Sequence, residues 1–413
     1  MKFNPFRPGS IVAPSMFAGR HNEIENIGKY LFQTKNENPQ HFMILGERGI
    51  GKSSLMLFAD FLARGSIHLG DSSNKLKFLV LNIELQQGLN TTDLIRVLGT
   101  KFKSELNQRN ELKAKAKTVW DFLTSWEIMG VKYNSPEAKF DPMVSSDELV
   151  AQMIEVLKSS EGELDGIAIL IDEADKAGST AQLGQILKYL TERITRSGCN
   201  KIIFGLAGLP ELVTTLKDSH ESSTRIFHIL NLEPLLEEER INVIEKAFVE
   251  TNHKSSSPVQ IDQNAKELIS HLSEGYPHFI QQFGYSSFEA DTNNHIDIAD
   301  VAMGTFGENG ALDQLGHKYF QEHFFHKVGS DDYRKVLIFM ADYQDQWVTR
   351  GLLIEGIPNL NATTIDNALR ALKTKNIIIQ SQANRGEYRL PTKSFAAWIK
   401  VKTSNDENAN KKL

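Results

Sequence analysis

Gly46-Glu47-Arg48-Gly49-Ile50-Gly51-Lys52-Ser53 fits the pattern G-x-x-x-x-G-K-[ST], the spacing of a loop that cradles phosphate. Each residue type has a chemical reason. Glycine leaves no Cβ between backbone N–H groups and a ligand oxygen. The N-terminus of the helix that follows adds partial positive charge, so a cradle running from Gly46 through Ser54 suits an anion. Lys52 would set its ammonium against the outer phosphates, and the Ser53 hydroxyl would ligate Mg²⁺. The bland alternative is a glycine turn with a solvated lysine. The flanks speak against it: Phe42-Met43-Ile44-Leu45 reads as a short buried strand, and Ser54 to Ala59 as a helix.

A second group lies downstream. Ile167-Ala168-Ile169-Leu170-Ile171-Asp172-Glu173-Ala174-Asp175 is an apolar run closed by acids, the pattern of a strand buried on both faces. Ionised carboxylates at the tip of such a strand are costly without a partner. A magnesium ion and a water supply one. Asp172 is therefore the expected metal residue, and Glu173 the expected base that orients and deprotonates an attacking water. The competing role is a strand end followed by a helix cap.

These groups need an α/β scaffold. Lys77 to Ile83, Lys201 to Gly208 and Ile226 to Leu232 read as further strands, with helical segments between them, which predicts a parallel sheet. Ser145-Ser146-Asp147-Glu148 has the form of a capping box opening one helix. Residues 103–145, with Trp120 and Trp126, read as an insertion. From Glu237 the pattern turns helical, with Gly275-Tyr276-Pro277 breaking two of the helices. His317, His323 and His326 fit no zinc spacing and read as a solvated helix face.

The last segment has its own grammar: helices at Tyr333 to Tyr343, Val348 to Ile354 and Asn361 to Asn376, then a hairpin turning at Asn384-Arg385-Gly386. That is a winged helix-turn-helix. Ile365, Ala368, Leu369 and Leu372 make an apolar stripe, leaving Thr363, Asn367, Arg370 and Lys373 on the other face with Arg385 at the wing tip. Those five are the candidate DNA contacts. Residues 361–400 hold seven Lys and Arg against two acids, a balance of +5, so the rest of this −6 chain carries −11. A basic module on an acidic protein suits a local phosphate contact; docking another protein is the alternative role.

The 413-residue length predicts more than one domain. The boundaries read as 1–234 for the core, 235–328 for a helical lid, 329–401 for the winged helix and 402–413 for a disordered tail. One cysteine, Cys199, excludes an internal disulfide framework and fits a reducing, cytoplasmic setting. No secretory pattern opens the chain, and no apolar stretch approaches the ~18 residues of a membrane span.

Over roughly residues 17–400 the chain resembles an AAA+ ATPase of the initiator-like branch, the origin-recognition and cell-division-control type, and the related signal-transduction ATPases with numerous domains. The resemblance implies a P-loop parallel-sheet core with helical lid and C-terminal winged helix, and ATP with Mg²⁺. It assigns Phe17 and Arg20, in Phe17-x-Gly19-Arg20-x-x-Glu23, to the adenine pocket. Pro277 and His278 fall where the lid meets nucleotide. Arg225, ahead of the last core strand, matches an arginine finger offered to a neighbour in a homo-oligomer.

Two departures point to slow hydrolysis. Ala207-Gly208 stand where the family often has a polar sensor, and His278 where initiators often carry a lid arginine. A DEAD-type helicase lacks support, because no Ser-Ala-Thr or arginine-rich motif of a second motor domain occurs; a GTPase lacks Asn-Lys-x-Asp. The function expected is a slowly hydrolysing, DNA-binding molecular switch. The reading from another class is an ATP-gated signalling or adaptor scaffold that assembles with a protein effector.

Overall fold

The computed structural model describes residues 2–11, 17–70, 75–109, 141–344, 346–381 and 383–410. It divides into two compact units: Ile11–Glu233, and Met1–Ser10 together with Pro234–Leu413.

In the first unit, α1 (His21–Lys35) leads to β1 (His41–Leu45), α2 (Lys52–Ala63), β2 (Phe78–Glu84) and α3 (Thr91–Asn107). Then come α4 (Pro142–Ser159), β3 (Gly166–Asp172), α5 (Leu183–Arg196), β4 (Ile202–Gly208), α6 (Leu212–Ser219) and β5 (Phe227–Asn231). The strands form one sheet in the order β2-β3-β4-β1-β5, parallel throughout. The apolar runs explain this. Residues 42–45, 166–171 and 202–208 are buried along their whole length, as strands covered by helices on both faces must be. Register aligns the strand ends: Leu45 pairs with Gly208, Ile171 with Leu206, and Glu84 with Asp172. The tips of β1, β3 and β4 therefore share one end of the sheet.

The expected insertion needs correction at its edges. Phe102 and Leu106 are buried core residues of α3, so the core helix runs past 103. The opening of α4 also differs from the capping-box expectation. Asp141 is the cap, accepting from Met143 N at 2.8 Å and Val144 N at 3.2 Å, with Pro142 at the first turn, a position proline favours. Ser145 and Ser146 lie inside the helix. Residues 110–140, with Trp120 and Trp126, lie outside the described residues.

The second unit contains α7 (Glu237–Lys254), β6 (Gln260–Ile261), α8 (Gln263–Ser273), α9 (Pro277–Ala290), β7 (His295–Ile296), α10 (Ile298–Phe306) and α11 (Ala311–Leu315). Two π-helical stretches follow, Gly316–Phe320 and Glu322–Lys327. The N-terminal arm packs in this unit, although residues 1–234 were expected as one core. Phe6 is 2% exposed. Its ring lies 6.1 Å from that of Phe248, and a Cβ on Gly284 would come within 2.5 Å of it. Lys2 pairs with the buried carboxylate of Asp291 at 2.6 Å, and Arg7 N–H donates to Gln281 Oε1 at 2.8 Å.

The unit ends with α12 (Asp331–Asp342), β8 (Val348–Thr349), α13 (Arg350–Gly356), α14 (Ala362–Thr374), β9 (Ile379–Gln380), β10 (Glu387–Arg389) and α15 (Lys393–Asn410). The three short strands form a sheet in the order β8-β10-β9. Helices followed by this hairpin give the winged-helix order. The second helix starts and ends two residues later than the sequence suggests, because residues 348–349 pair with β10 instead. The tail expected to be disordered from 402 is helical through Asn410. Phe395, Trp398 and Ile399 are buried and anchor its start, and residues 393–410 contain no Gly or Pro to stop propagation. Among the described residues no helix is long and apolar enough to cross a membrane.

Candidate functional site

The phosphate loop leaves β1 and enters α2 through a tight turn. Gly49 and Gly51 hold φ of 79° and 100°, a backbone region that favours glycine. Ile50, between them, is buried at 1% exposure and pins the loop to the core. Ser54 lies in the first turn of α2; Glu47 and Arg48 are exposed.

Lys52 opens α2. Its ammonium donates to the carbonyl oxygens of Gly46 at 2.7 Å and Glu47 at 2.8 Å. Burial holds it below the ordinary lysine value, against the pull of Asp175, Asp172 and Glu47. The Ser53 side chain and the Lys52 ammonium both act on the Asp172 carboxylate, so the hydroxyl of α2 and the acid of β3 meet. Burial pushes the Asp172 carboxyl up, while Ser53 and Lys52 pull it down. Both Lys52 and Asp172 thus pay for lost water, as cations and carboxylates do in a desolvated cleft.

Glu173 follows with φ of 51°, a left-handed conformation costly for a residue with a side chain. Its N–H donates to Asp172 Oδ1 at 2.8 Å, and its carboxylate pairs with Lys176. A hydroxyl and a carboxylate oxygen are the hard donors that Mg²⁺ takes alongside phosphate. Among the described residues no cluster of three or more His, Cys, Asp or Glu side chains forms an all-protein metal cage. The donor set therefore fits a metal held jointly with a phosphate ligand.

Arg20 has a task the sequence did not suggest. It is 7% exposed; one guanidinium nitrogen donates to the Ile50 carbonyl at 3.2 Å and another lies 3.6 Å from Glu23. The guanidinium braces the phosphate loop from outside. The ring of Phe17 lies 5.6 Å from that of Phe58 on α2.

The structure brings together Gly46 through Ser54, Arg20, Asp172 and Glu173. Arg225 is exposed, in a 3-10 turn just before β5. Because Phe227 pairs with His41, Arg225 stands where β1 begins, and the phosphate loop leaves where β1 ends. Four strand residues separate the two ends by about 13 Å.

Pro277 and His278 open α9 in the second unit. Burial, then the charge of Lys318, lowers the His278 imidazole to about 4. Its ring lies 5.2 Å from that of Tyr319. At neutral pH it is an uncharged ring, unlike a lid arginine.

On α14, Ile365, Ala368, Leu369 and Leu372 are buried, and Thr363, Asn367, Arg370 and Lys373 are exposed. Arg385 is exposed at the hairpin tip, where Gly386 holds φ of 90°. Asp366 beside this face is clamped by Arg350 through bonds of 2.6 and 2.9 Å, which offsets its charge.

Sequence reasoning missed Asp175 as a site residue. Its Oδ1 accepts from Leu209 N at 3.0 Å, at the tip of β4. The only available signal was its place three residues after Asp172.

No family model matches the chain. Solved structures are similar over nearly its full length. A Walker-type ATPase of Pyrococcus abyssi aligns with a TM-score of 0.58 at 15% identity, covering 96% of this chain and 99% of that one. The ORC2 protein of Aeropyrum pernix, solved as ADPNP–ADP complexes, aligns with a TM-score of 0.59 at 14% identity, covering 100% and 99%. These likenesses show a shared fold over nearly the whole chain. An uncharacterized HTH-type transcriptional regulator of Methanocaldococcus jannaschii is 25% identical over 251 residues, 60% of this chain. The match spans 57% of that relative's own length.

Proposed function

We propose that the protein binds ATP with Mg²⁺, hydrolyses it slowly, and acts as a nucleotide-dependent switch that holds duplex DNA through its winged helix. The observation that carries the reading is the meeting of Ser53 and Lys52 at the Asp172 carboxylate, which both draw down against the effect of burial. It joins two segments that sequence reasoning tied to one ligand. The similar A. pernix protein, solved with adenine nucleotides, supports the same ligand class.

Ser53 and Asp172 would hold Mg²⁺, which neutralises developing charge on the phosphates. The Gly46-to-Ser54 amides would cradle the phosphates, with Lys52 on the outer ones. Glu173 would orient the attacking water and take its proton, which requires release from Lys176. Phe17 and Arg20 would flank the adenine, and Pro277 and His278 are the proposed lid residues for nucleotide. Neutral His278 and the lack of a polar side chain at the end of β4 support slow turnover. Arg225 stands too far along the sheet for its own loop, which supports action on a neighbour in a homo-oligomer. Thr363, Asn367, Arg370, Lys373 and Arg385 form the proposed DNA face. A single cysteine supports a cytoplasmic setting.

A second reading, an ATP-gated scaffold for a protein effector, is favoured by one observation. Ile298, Met303 and Phe306 are 49%, 68% and 56% exposed on one side of α10, an apolar face of the kind that partners cover. ATP turnover and particle mass measured together, with and without duplex DNA, test the first reading. Turnover and a mass increase that depend on ATP, with DNA bound, support it. ATP binding without DNA binding, even at low salt, favours the scaffold.

A further inference from the structure

The tip of β4 carries no polar side chain of its own, ending in Ala207 and Gly208. A group from the neighbouring strand takes the place. Beyond β3 a single 3-10 turn, Ala174–Ala177, brings Asp175 back over β4, where its Oδ1 receives the Leu209 N–H at 3.0 Å. The approach is so close that only glycine fits beneath it. A Cβ on Gly208 would lie 2.8 Å from that oxygen and 3.2 Å from the Asp175 nitrogen.

Sheet order puts β4 between β3 and β1. The carboxylate therefore stands between Asp172 on one side and, on the other, Gly46, whose N–H faces the Gly208 carbonyl at 3.4 Å. Burial has the largest effect on the Lys52 ammonium; among the acids that act on it, Asp175 comes first, ahead of Asp172 and Glu47.

We infer that Asp175 determines the preference of this site between nucleoside diphosphate and triphosphate, its negative charge opposing a terminal phosphate. The inference rests on the nucleotide-binding reading above. A third phosphate seated on Lys52 extends towards the tip of β4, where the Asp175 carboxylate is held by the Leu209 N–H. In a cleft with little water, like charges are poorly screened and repel more strongly than in solution. A diphosphate brings one phosphate fewer, and less negative charge, into the field of that carboxylate. A neutral polar side chain at the same tip would donate a hydrogen bond to the phosphate; an ionised carboxylate has only lone pairs to present. The diphosphate-bound form is then the resting state.

The test uses the full chain and calorimetric titration with ADP and with a non-hydrolysable ATP analogue. Asp175→Asn keeps an acceptor for Leu209 N–H and removes the charge. Its affinity for the analogue relative to ADP should rise about tenfold, with the nucleotide-free melting temperature unchanged. Asp175→Ala should shift the ratio the same way but also lower the melting temperature, because Leu209 N–H loses its partner. An unchanged ratio in Asp175→Asn, or equal weakening of both ligands, would reduce Asp175 to a structural role and overturn the inference. Lys52→Ala separates this from failure of the underlying reading. If wild-type protein binds neither nucleotide, or Lys52→Ala binds both as well as wild type, the phosphate-loop assignment fails instead.

Discussion

At the scale of single residues, the site is a set of charges held where water cannot fully reach them. Glu173 is the residue whose replacement is most informative. Glu173→Gln should lower ATP turnover by at least ~100-fold, the usual size of a lost general base, while ATP stays bound. Single-turnover kinetics check this, and wild-type rates in the variant would remove Glu173 from the base role. His41, at the opposite end of the sheet, makes a separate prediction. Burial, then the nearby His228, lowers its imidazole from 6.5 to about 4. Its Nδ1 accepts the Phe204 N–H at 3.1 Å, a bond that only the neutral ring makes. The unfolded chain binds this proton more readily than the folded one. Stability from His41 is therefore full above pH 6.5 and is lost as pH falls towards 4. Between those limits wild-type protein should lose on the order of 3 kcal/mol more than His41→Gln. Urea unfolding at several pH values measures the difference, and parallel curves would contradict it.

At the scale of elements, the winged helix and the finger turn make predictions that do not depend on chemistry at the phosphate loop. Replacing Arg370, Lys373 and Arg385 together by alanine should weaken duplex DNA binding and flatten the slope of log affinity against log salt by roughly 2–3. An unaltered slope would take those residues off the DNA. Arg225→Ala should abolish turnover yet leave ATP affinity intact, and mixing it with Glu173→Gln should restore part of the rate; an additive, inactive mixture would argue against a finger acting between subunits. The elements themselves were largely legible. The strand ahead of Gly46 and the strand ending at Asp172 announce themselves because a strand covered on both faces must be apolar throughout. The phosphate loop is legible because its geometry depends on adjacent residues. The start of α4 was misread because Ser145-Ser146-Asp147-Glu148 satisfies a local capping rule, while Asp141 with Pro142 satisfies a better one earlier. The role of Asp175 and the loop-bracing contact of Arg20 were missed for a different reason. Their partners, Leu209 and the Ile50 carbonyl, lie 34 and 30 residues away, and no local pattern encodes such meetings.

At the scale of the whole molecule, the chain is two compact units whose sequence boundaries are not contiguous, since Met1–Ser10 folds with Pro234–Leu413. Lys2, Phe6 and Arg7 are the residues that fix this assignment, and nothing in their composition marked them as partners of the C-terminal half. The first few residues behave as a plug. Phe6 fills a slot whose floor is Gly284, and Lys2 neutralises a carboxylate that has no water. Trimming the polypeptide back to Phe17, a natural choice for anyone aiming at the phosphate-loop unit, would uncork that slot. The shortened product should come out of cells as inclusion bodies, or melt early, for reasons unrelated to nucleotide. A synthetic peptide of residues 2–8 added back during refolding should rescue it.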